Sequence, residues 1–191
     1  MNAGEVLHLT GANGTGKTSL LRIIAGALPP AGGEILWNDK SFFDEEAARD
    51  AAPRFTFLPA DDRALKPLET AAENLGFWAS LWGLKDTAAD DALCLLDMKK
   101  HAGKSVRHLS AGQRRRLSIA RALMKPADVW LLDEPFNGLD AEAQMLLSAA
   151  LEIHMAKGGL AVIASHVALD PPRQGRLQRL DLAQFMQKNA A

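Results

Sequence analysis

Tyrosine is absent from this 191-residue sequence, and cysteine occurs once, at Cys94. A lone cysteine excludes an internal disulfide framework and any paired-cysteine metal or haem-attachment motif. Cys94 stands between Leu93 and Leu95, so it is expected in the core, where free cysteine behaves as a small apolar side chain. No apolar run reaches the roughly 18 residues that span a bilayer. Met1–Glu5 has no basic region leading into an apolar stretch, so no signal peptide is expected, and a membrane role has to come through partners. The formal net charge of -1 leaves no global footprint for nucleic acid, and none is expected as a partner. Repeats and low-complexity tracts are also lacking. What remains is ordinary globular usage, 48% apolar and 24% charged, over a length that suits one domain, or one domain with a small lobe.

Hydrophobic periodicity divides the chain into alternating strands and helices. Val6–Thr10 reads as a short buried strand, Gly11–Gly16 as a glycine-rich turn, and Lys17–Leu28 as a helix that Pro29-Pro30 stops. Glu34–Trp37 reads as a strand followed by an Asn38-Asp39 turn. Ala64–Leu96 reads as mostly helical, with one segment opening at Glu69-Thr70 and another over Asp86–Met98. A helix is expected over Ser110–Met124, a wholly apolar strand at Val129–Leu132, a helix over Ala141–Ala156 and a buried strand at Leu160–Ala164. Continuous apolar strands mark a parallel sheet covered on both faces, so the class is α/β, with the helix-rich middle as an inserted lobe. The tail from Pro171 has mixed charge and no clear pattern.

Gly11-Ala12-Asn13-Gly14-Thr15-Gly16-Lys17-Thr18 fits the phosphate-binding loop GxxxxGK[ST], and it follows a strand and opens a helix, as that motif requires. Its glycines let backbone N–H groups converge on phosphate oxygens, and the helix N-terminus adds partial positive charge. Lys17 is positioned to reach the β and γ phosphates and Thr18 to offer its hydroxyl to magnesium; Ser19 follows in the same turn. Val129–Leu132 runs into Asp133-Glu134-Pro135, two carboxylates at a strand end. Asp133 is the candidate for holding Mg2+ and Glu134 for polarising the attacking water. Alone, such a pair is common on surfaces. Together with the loop it gains weight, because parallel strand ends open onto one crevice. Trp130 reads as core. Leu109-Ser110-Ala111-Gly112-Gln113 carries a capping box, Ser110 as N-cap with Gln113 three residues later, which fixes a helix start able to meet an anion. The basic run Arg114-Arg115-Arg116 that follows reads as a solvated face.

In chain order, the Gly11–Thr18 loop, Leu109–Gln113, Asp133-Glu134, Asn137-Gly138-Leu139-Asp140 and Ser165-His166 resemble the ATP-binding-cassette (ABC) ATPases, and the resemblance covers almost the whole chain. It implies a P-loop NTPase fold of the ABC type, with a mostly parallel core at about 1–60 and 126–191 and a helical subdomain at about 61–125, one cassette domain over 1–191. It implies an ATPase with Mg2+ as cofactor that works as a homodimer or paired with another cassette. Gly11 to Ser19 would bind ATP. Ser110, Ala111, Gly112 and Gln113 would act in trans on the nucleotide held by the partner's loop, and Asp140 would sit at the dimer interface. His166 would touch the γ-phosphate and join Glu134 as a catalytic residue.

The segment Ala64–Pro67 with Thr70–Trp78 is similar, more narrowly, to the haem-exporter ATPases of cytochrome c maturation, as are the Ser-Ala-Gly-Gln signature with its three arginines and the short stretch after His166. That resemblance implies integral membrane transporter subunits of the cytochrome c maturation system as partners, and a peripheral position on the cytoplasmic face of the inner membrane. His8, His101, His108 and His154 form no ligand grouping in sequence and are read as structural or solvated, so no haem is expected on this chain itself. Two features depart from the family. No glutamine precedes Gln113; Pro59-Ala60-Asp61-Asp62 stands where a metal-contacting glutamine is usual, which makes Asp61 or Asp62 a candidate for that contact. No aromatic residue precedes Trp37, so the adenine-stacking side chain and two upstream antiparallel strands are expected to be missing from a truncated N-terminus. Other readings are an exporter ATPase for another cargo, a DNA-repair or chromosome cassette ATPase, and a small P-loop kinase. No heptads separate Lys17 from Ser110, which argues against the chromosome class, and the signature with His166 argues against the kinase.

Overall fold

The computed structural model describes residues 1–42, 50–51, 54–173 and 175–186. It parts into two compact units: residues 1–59, 127–135 and 152–191 form the first, and residues 60–126 and 136–151 the second.

The first unit is built on strands β1 (Glu5–Thr10), β4 (Phe55–Leu58), β5 (Val129–Asp133), β6 (Leu160–Ala164) and β7 (Arg176–Asp181), ordered β4-β5-β6-β1-β7. Every pairing in this sheet is parallel. β5 is buried along its whole length, as its unbroken apolar run requires of a strand covered on both faces. Helix α1 (Lys17–Ile24) packs on β5 and β6, and Leu21 joins Leu9, Leu131, Val162 and Ala164 in the core. A small hairpin, β2 (Leu36–Trp37) with β3 (Lys40–Ser41), turns through Asn38 and Asp39, both at positive φ, the backbone that tight hairpin turns favour. Trp37 and Phe42 meet Phe55 edge-on, with centroids 5.1 and 5.4 Å away, and so tie the hairpin to the sheet.

The second unit holds α2 (Ala71–Leu81), α3 (Ala88–Leu95) and α4 (Ala111–Met124), which pack on one another. The Glu69-Thr70 opening predicted from sequence is a full capping box: the Glu73 N–H donates to Thr70 Oγ1 at 3.2 Å, and the Thr70 N–H donates to Glu73 Oε2 at 2.7 Å. The next residue, Asn74, is buried and clamps the preceding loop, accepting from the Lys66 N–H at 2.7 Å and donating to the Lys66 carbonyl at 3.1 Å. The Thr70–Asn74 part of the haem-exporter-like segment therefore sets how the chain enters α2. Two short 3-10 turns at Lys99–His101 and Val106–His108, helix α5 (Ala141–Ala156) and a short α6 (Ala183–Met186) complete the described elements.

Several expectations change. The helix after the loop ends at Ile24, four residues short of Leu28, because Gly26 turns to φ 71°. The strand expected over Glu34–Trp37 keeps only its last two residues. Cys94 is exposed rather than in the core, since α3 turns Ala92 and Leu93 inward and leaves position 94 outside. The arginine run is not a solvated face. Arg115 and Arg116 are each only 7% exposed, and α4 is buried on most sides from Arg115 to Ala122. The patternless tail supplies β7, an edge strand with charged side chains that blunt further pairing.

Candidate functional site

Strand register brings the chemistry together. Asp133 stands opposite Ala164, and Ala164 opposite Leu9, so β5, β6 and β1 end level. The glycine-rich loop leaves β1, the carboxylate pair leaves β5 and Ser165-His166 leaves β6, all at the carboxyl edge of one parallel sheet, where ligand sites of open α/β sheets lie.

Gly16 caps α1 at φ 92° and ψ 10°, a left-handed backbone that L side chains resist, and no side chain caps this helix start. Its first-turn N–H groups are thus available to an anion. Lys17 is buried, and its ammonium donates to the carbonyls of Gly11 at 2.7 Å and Ala12 at 3.1 Å, so the loop curls around it. The Thr15 hydroxyl closes the turn by donating to the Ala12 carbonyl at 2.9 Å.

The Thr18 hydroxyl donates to Asp133 Oδ2 at 2.8 Å, although the two residues are 115 positions apart. Asp133 is 2% exposed. A hydroxyl and a carboxylate held in contact at the mouth of a phosphate loop are the hard oxygen donors that suit Mg2+. Among the described residues no group of three His, Cys, Asp or Glu is gathered, so an ion here would complete its shell from phosphate and water oxygens, as Mg2+ commonly does.

Glu134 adopts φ 46°, a strained position for a side chain of its size, held by its N–H donating to the Ala164 carbonyl at 2.8 Å. His166 stands across from it. The His166 N–H donates to Glu134 Oε2 at 3.3 Å, its Nε2 lies 3.3 Å from Glu134 Oε1, and Nε2–H donates to Asn13 Oδ1 of the loop at 2.8 Å. His166 therefore bridges the candidate water-polarising carboxylate and the phosphate loop.

In the second unit, Ser110 caps α4 as its sequence predicts: the Gln113 N–H donates to Ser110 Oγ at 3.2 Å, and the Ser110 N–H donates to Gln113 Oε1 at 3.0 Å. Ser110 and Ala111 are exposed. Arg116 lies below them and donates to both carboxylate oxygens of Asp140, at 2.7 and 2.8 Å, and to the Leu96 carbonyl at 3.2 Å. Asp140 also caps α5 by accepting from the Ala143 N–H at 3.0 Å. The Arg116 hydrogen bond, helped by that cap, holds the Asp140 carboxyl below the usual range. Asp62 accepts from Arg114 Nε at 2.8 Å, and Asp61 pairs with Arg63 at 3.2 Å, so both candidates for the glutamine's place already have cationic partners.

Of His101, His108 and His154, the first and the last have structural settings. His154 stacks on Trp130 with centroids 4.0 Å apart and 8° between planes, which also places Trp130 in the core as expected. Gln113 Nε2 donates to His101 Nε2 at 3.0 Å, and His108 is exposed. Sequence reasoning missed Arg116 as a partner of Asp140, because 24 residues separate them. It also missed β4, although Phe55-Thr56-Phe57-Leu58 has the aromatic, β-branched make-up of a strand.

Comparison with known proteins gives the family and the fold. The ABC transporter family model matches residues 1–137, which include the loop, the signature and the carboxylate pair. The cytochrome c biogenesis ATP-binding export protein CcmA of Paramagnetospirillum magneticum is 40% identical over 97% of this chain and 84% of its own length. The protein of the same name from Rhodopseudomonas palustris (strain HaA2) is 43% identical over 87% of this chain and 80% of its own. The fold is also that of the bacterial ABC transporter cassette MJ0796, solved as a dimer, with TM-score 0.78 at 24% identity over 94% of this chain and 82% of that one. By the family match over residues 1–137 and the 40% identity to a CcmA over most of both chains, the chain belongs to the ABC transporter family, as an ATP-binding ATPase subunit of the cytochrome c biogenesis export type.

Proposed function

We propose that this chain hydrolyses Mg-ATP as one half of a cassette dimer and that its turnover drives haem export, or a haem-linked step, in cytochrome c maturation. The observation that carries the proposal is the convergence of Thr18 on Asp133 and of His166 on both Glu134 and Asn13 at level strand ends. The loop N–H groups and Lys17 take the phosphates, Lys17 exchanging its carbonyl partners for phosphate oxygens. Thr18 and Asp133 would hold Mg2+, which neutralises phosphate charge when bound. Glu134 orients the attacking water and draws its proton as the bond to the γ-phosphorus forms; ADP leaves. His166 steadies the Glu134 carboxylate and faces the γ-phosphate.

The first unit serves as the nucleotide core and the second presents Ser110 and its neighbours to the nucleotide of a second copy or a paired cassette. Asp140, held by Arg116, lies at that interface. Among the described residues no helix is long and apolar enough to cross a membrane. On the family's pattern, integral partner subunits supply the membrane path and this chain lies peripherally on the cytoplasmic face. Cargo follows from the family assignment and from the Ala64–Trp78 segment.

Three measurements test this. Glu134→Gln, assayed with the membrane partners, should bind ATP and not turn over; near-normal hydrolysis would remove Glu134 from its role. A mixed dimer of Lys17→Ala and Ser110→Arg chains should retain one working site, because its two defects fall on the same composite site, whereas each homodimer is inactive. A silent mixed dimer would refute sharing in trans. Deletion of the gene in its host should abolish c-type cytochromes; normal levels would refute the cargo and leave the ATPase standing.

A further inference from the structure

His8 lies on β1, is 3% exposed and takes no part in the chemistry described above. Its Nε2 is 3.0 Å from the Ser165 carbonyl oxygen. A carbonyl can only accept, so the ring carries hydrogen on Nε2 and donates. Among the described residues the buried Nδ1 has no hydrogen-bond partner. A buried nitrogen left that way costs stability that an apolar side chain would not, so the ring's one useful bond is the one to Ser165.

That carbonyl has a particular neighbour. Ser165 C=O and His166 N–H belong to a single planar peptide group, and the N–H end donates to Glu134 Oε2 at 3.3 Å. His8 grips one end of this plane and Glu134 the other. Hydrogen bonds in series polarise one another, so donation into the Ser165 oxygen makes the His166 N–H a stronger donor toward Glu134. Because the plane is rigid, fixing its carbonyl also fixes the backbone from which the His166 ring reaches Glu134 Oε1 and Asn13. The Ser165 N–H, bonded to the Leu9 carbonyl at 3.3 Å, anchors the same segment to β1.

We propose that His8 is a positioning residue for hydrolysis: from behind the Ser165–His166 peptide it sets the Glu134 carboxylate and the His166 ring in their working arrangement. It touches neither nucleotide nor reacting atoms. The proposal rests on the roles given to Glu134 and His166 under Proposed function.

The test compares His8→Leu, which keeps apolar bulk and loses the donor, with His8→Gln, whose amide can donate at a similar reach. Each is assayed for ATP hydrolysis with the membrane partners, alongside ATP affinity and thermal unfolding of the purified chain. His8→Leu should lower kcat about tenfold, the size of effect one oriented hydrogen bond commands, with KM for ATP changed less than twofold. His8→Gln should restore most of kcat. In a His166→Ala background, under single-turnover conditions, adding His8→Leu should cost less than it does alone: the ring-placing part of its effect is already gone, while the backbone N–H bond to Glu134 remains. Unchanged kcat in His8→Leu, no rescue by His8→Gln, or losses that multiply in the double variant would each overturn the proposal. Should His8→Leu not fold, His8→Met against His8→Gln asks the same question. Glu134→Gln run in parallel separates the failures. Turnover in Glu134→Gln would sink the site assignment itself, whereas an inactive Glu134→Gln beside a fully active His8→Leu would sink only the role of His8.

Discussion

Two glycines of the phosphate loop should respond differently to the same substitution. Gly11 sits at φ 134° and Gly16 at φ 92°. At Gly16 an added Cβ would meet nothing within 4 Å, so Gly16→Ala costs only its left-handed backbone, about 1–2 kcal/mol. At Gly11 the Cβ would lie 2.7 Å from Thr15 Oγ1 and 3.4 Å from Asp181 Oδ1. Thr15 has to swing away and give up its 2.9 Å bond to the Ala12 carbonyl. That bond contributes about 0.5–1.5 kcal/mol, and backbone strain adds about 1–3 kcal/mol. Gly11→Ala is therefore expected to lose about 2–4 kcal/mol, roughly twice the loss at Gly16. Urea unfolding of the nucleotide-free chain measures both, and each kcal/mol should also lower the thermal midpoint by roughly 2–4 °C in a chain of this size. Equal losses at the two positions, or losses under about 0.5 kcal/mol at both, the size of an ordinary surface change, would refute the reasoning.

Thr18→Val removes the hydroxyl that meets Asp133 and should raise the Mg2+ concentration needed for half-maximal hydrolysis at least about tenfold, a loss of about 1.4 kcal/mol, read by titrating Mg2+ at fixed ATP. Ser110→Ala deletes the N-cap of α4 and should lower unfolding stability by about 1 kcal/mol while leaving ATP affinity of the isolated chain unchanged; a weaker-binding monomer would contradict the assignment in trans. Burial holds the His154 imidazole below the usual histidine value, so the unfolded chain takes up that proton first. Stability should thus begin to fall as pH drops through the unfolded value, about 6.5, and continue falling to the lower folded value; His154→Gln should flatten this part of the profile of urea midpoint against pH.

Local rules carried much of this protein. The loop's glycine spacing, the caps at Thr70 and Ser110 and the unbroken apolar run at Val129–Leu132 each concern neighbours within a few residues, where steric and hydrogen-bonding preferences act without reference to the rest of the chain. They identified the family and pointed to most residues of the candidate site. What tertiary structure alone decided involves partners far apart in sequence. Parallel register, with Asp133 level with Ala164 and Ala164 level with Leu9, brought Thr18 to Asp133 and His166 to Glu134. Packing of α4 reversed the reading of Arg115 and Arg116, since a basic run says nothing about which carboxylate waits on another helix. Cys94 faces outward because the turn of α3 set which neighbours went in. His8 gained its place behind the Ser165–His166 peptide because two parallel strands 157 residues apart in number lie side by side, and no periodicity in either strand records the other.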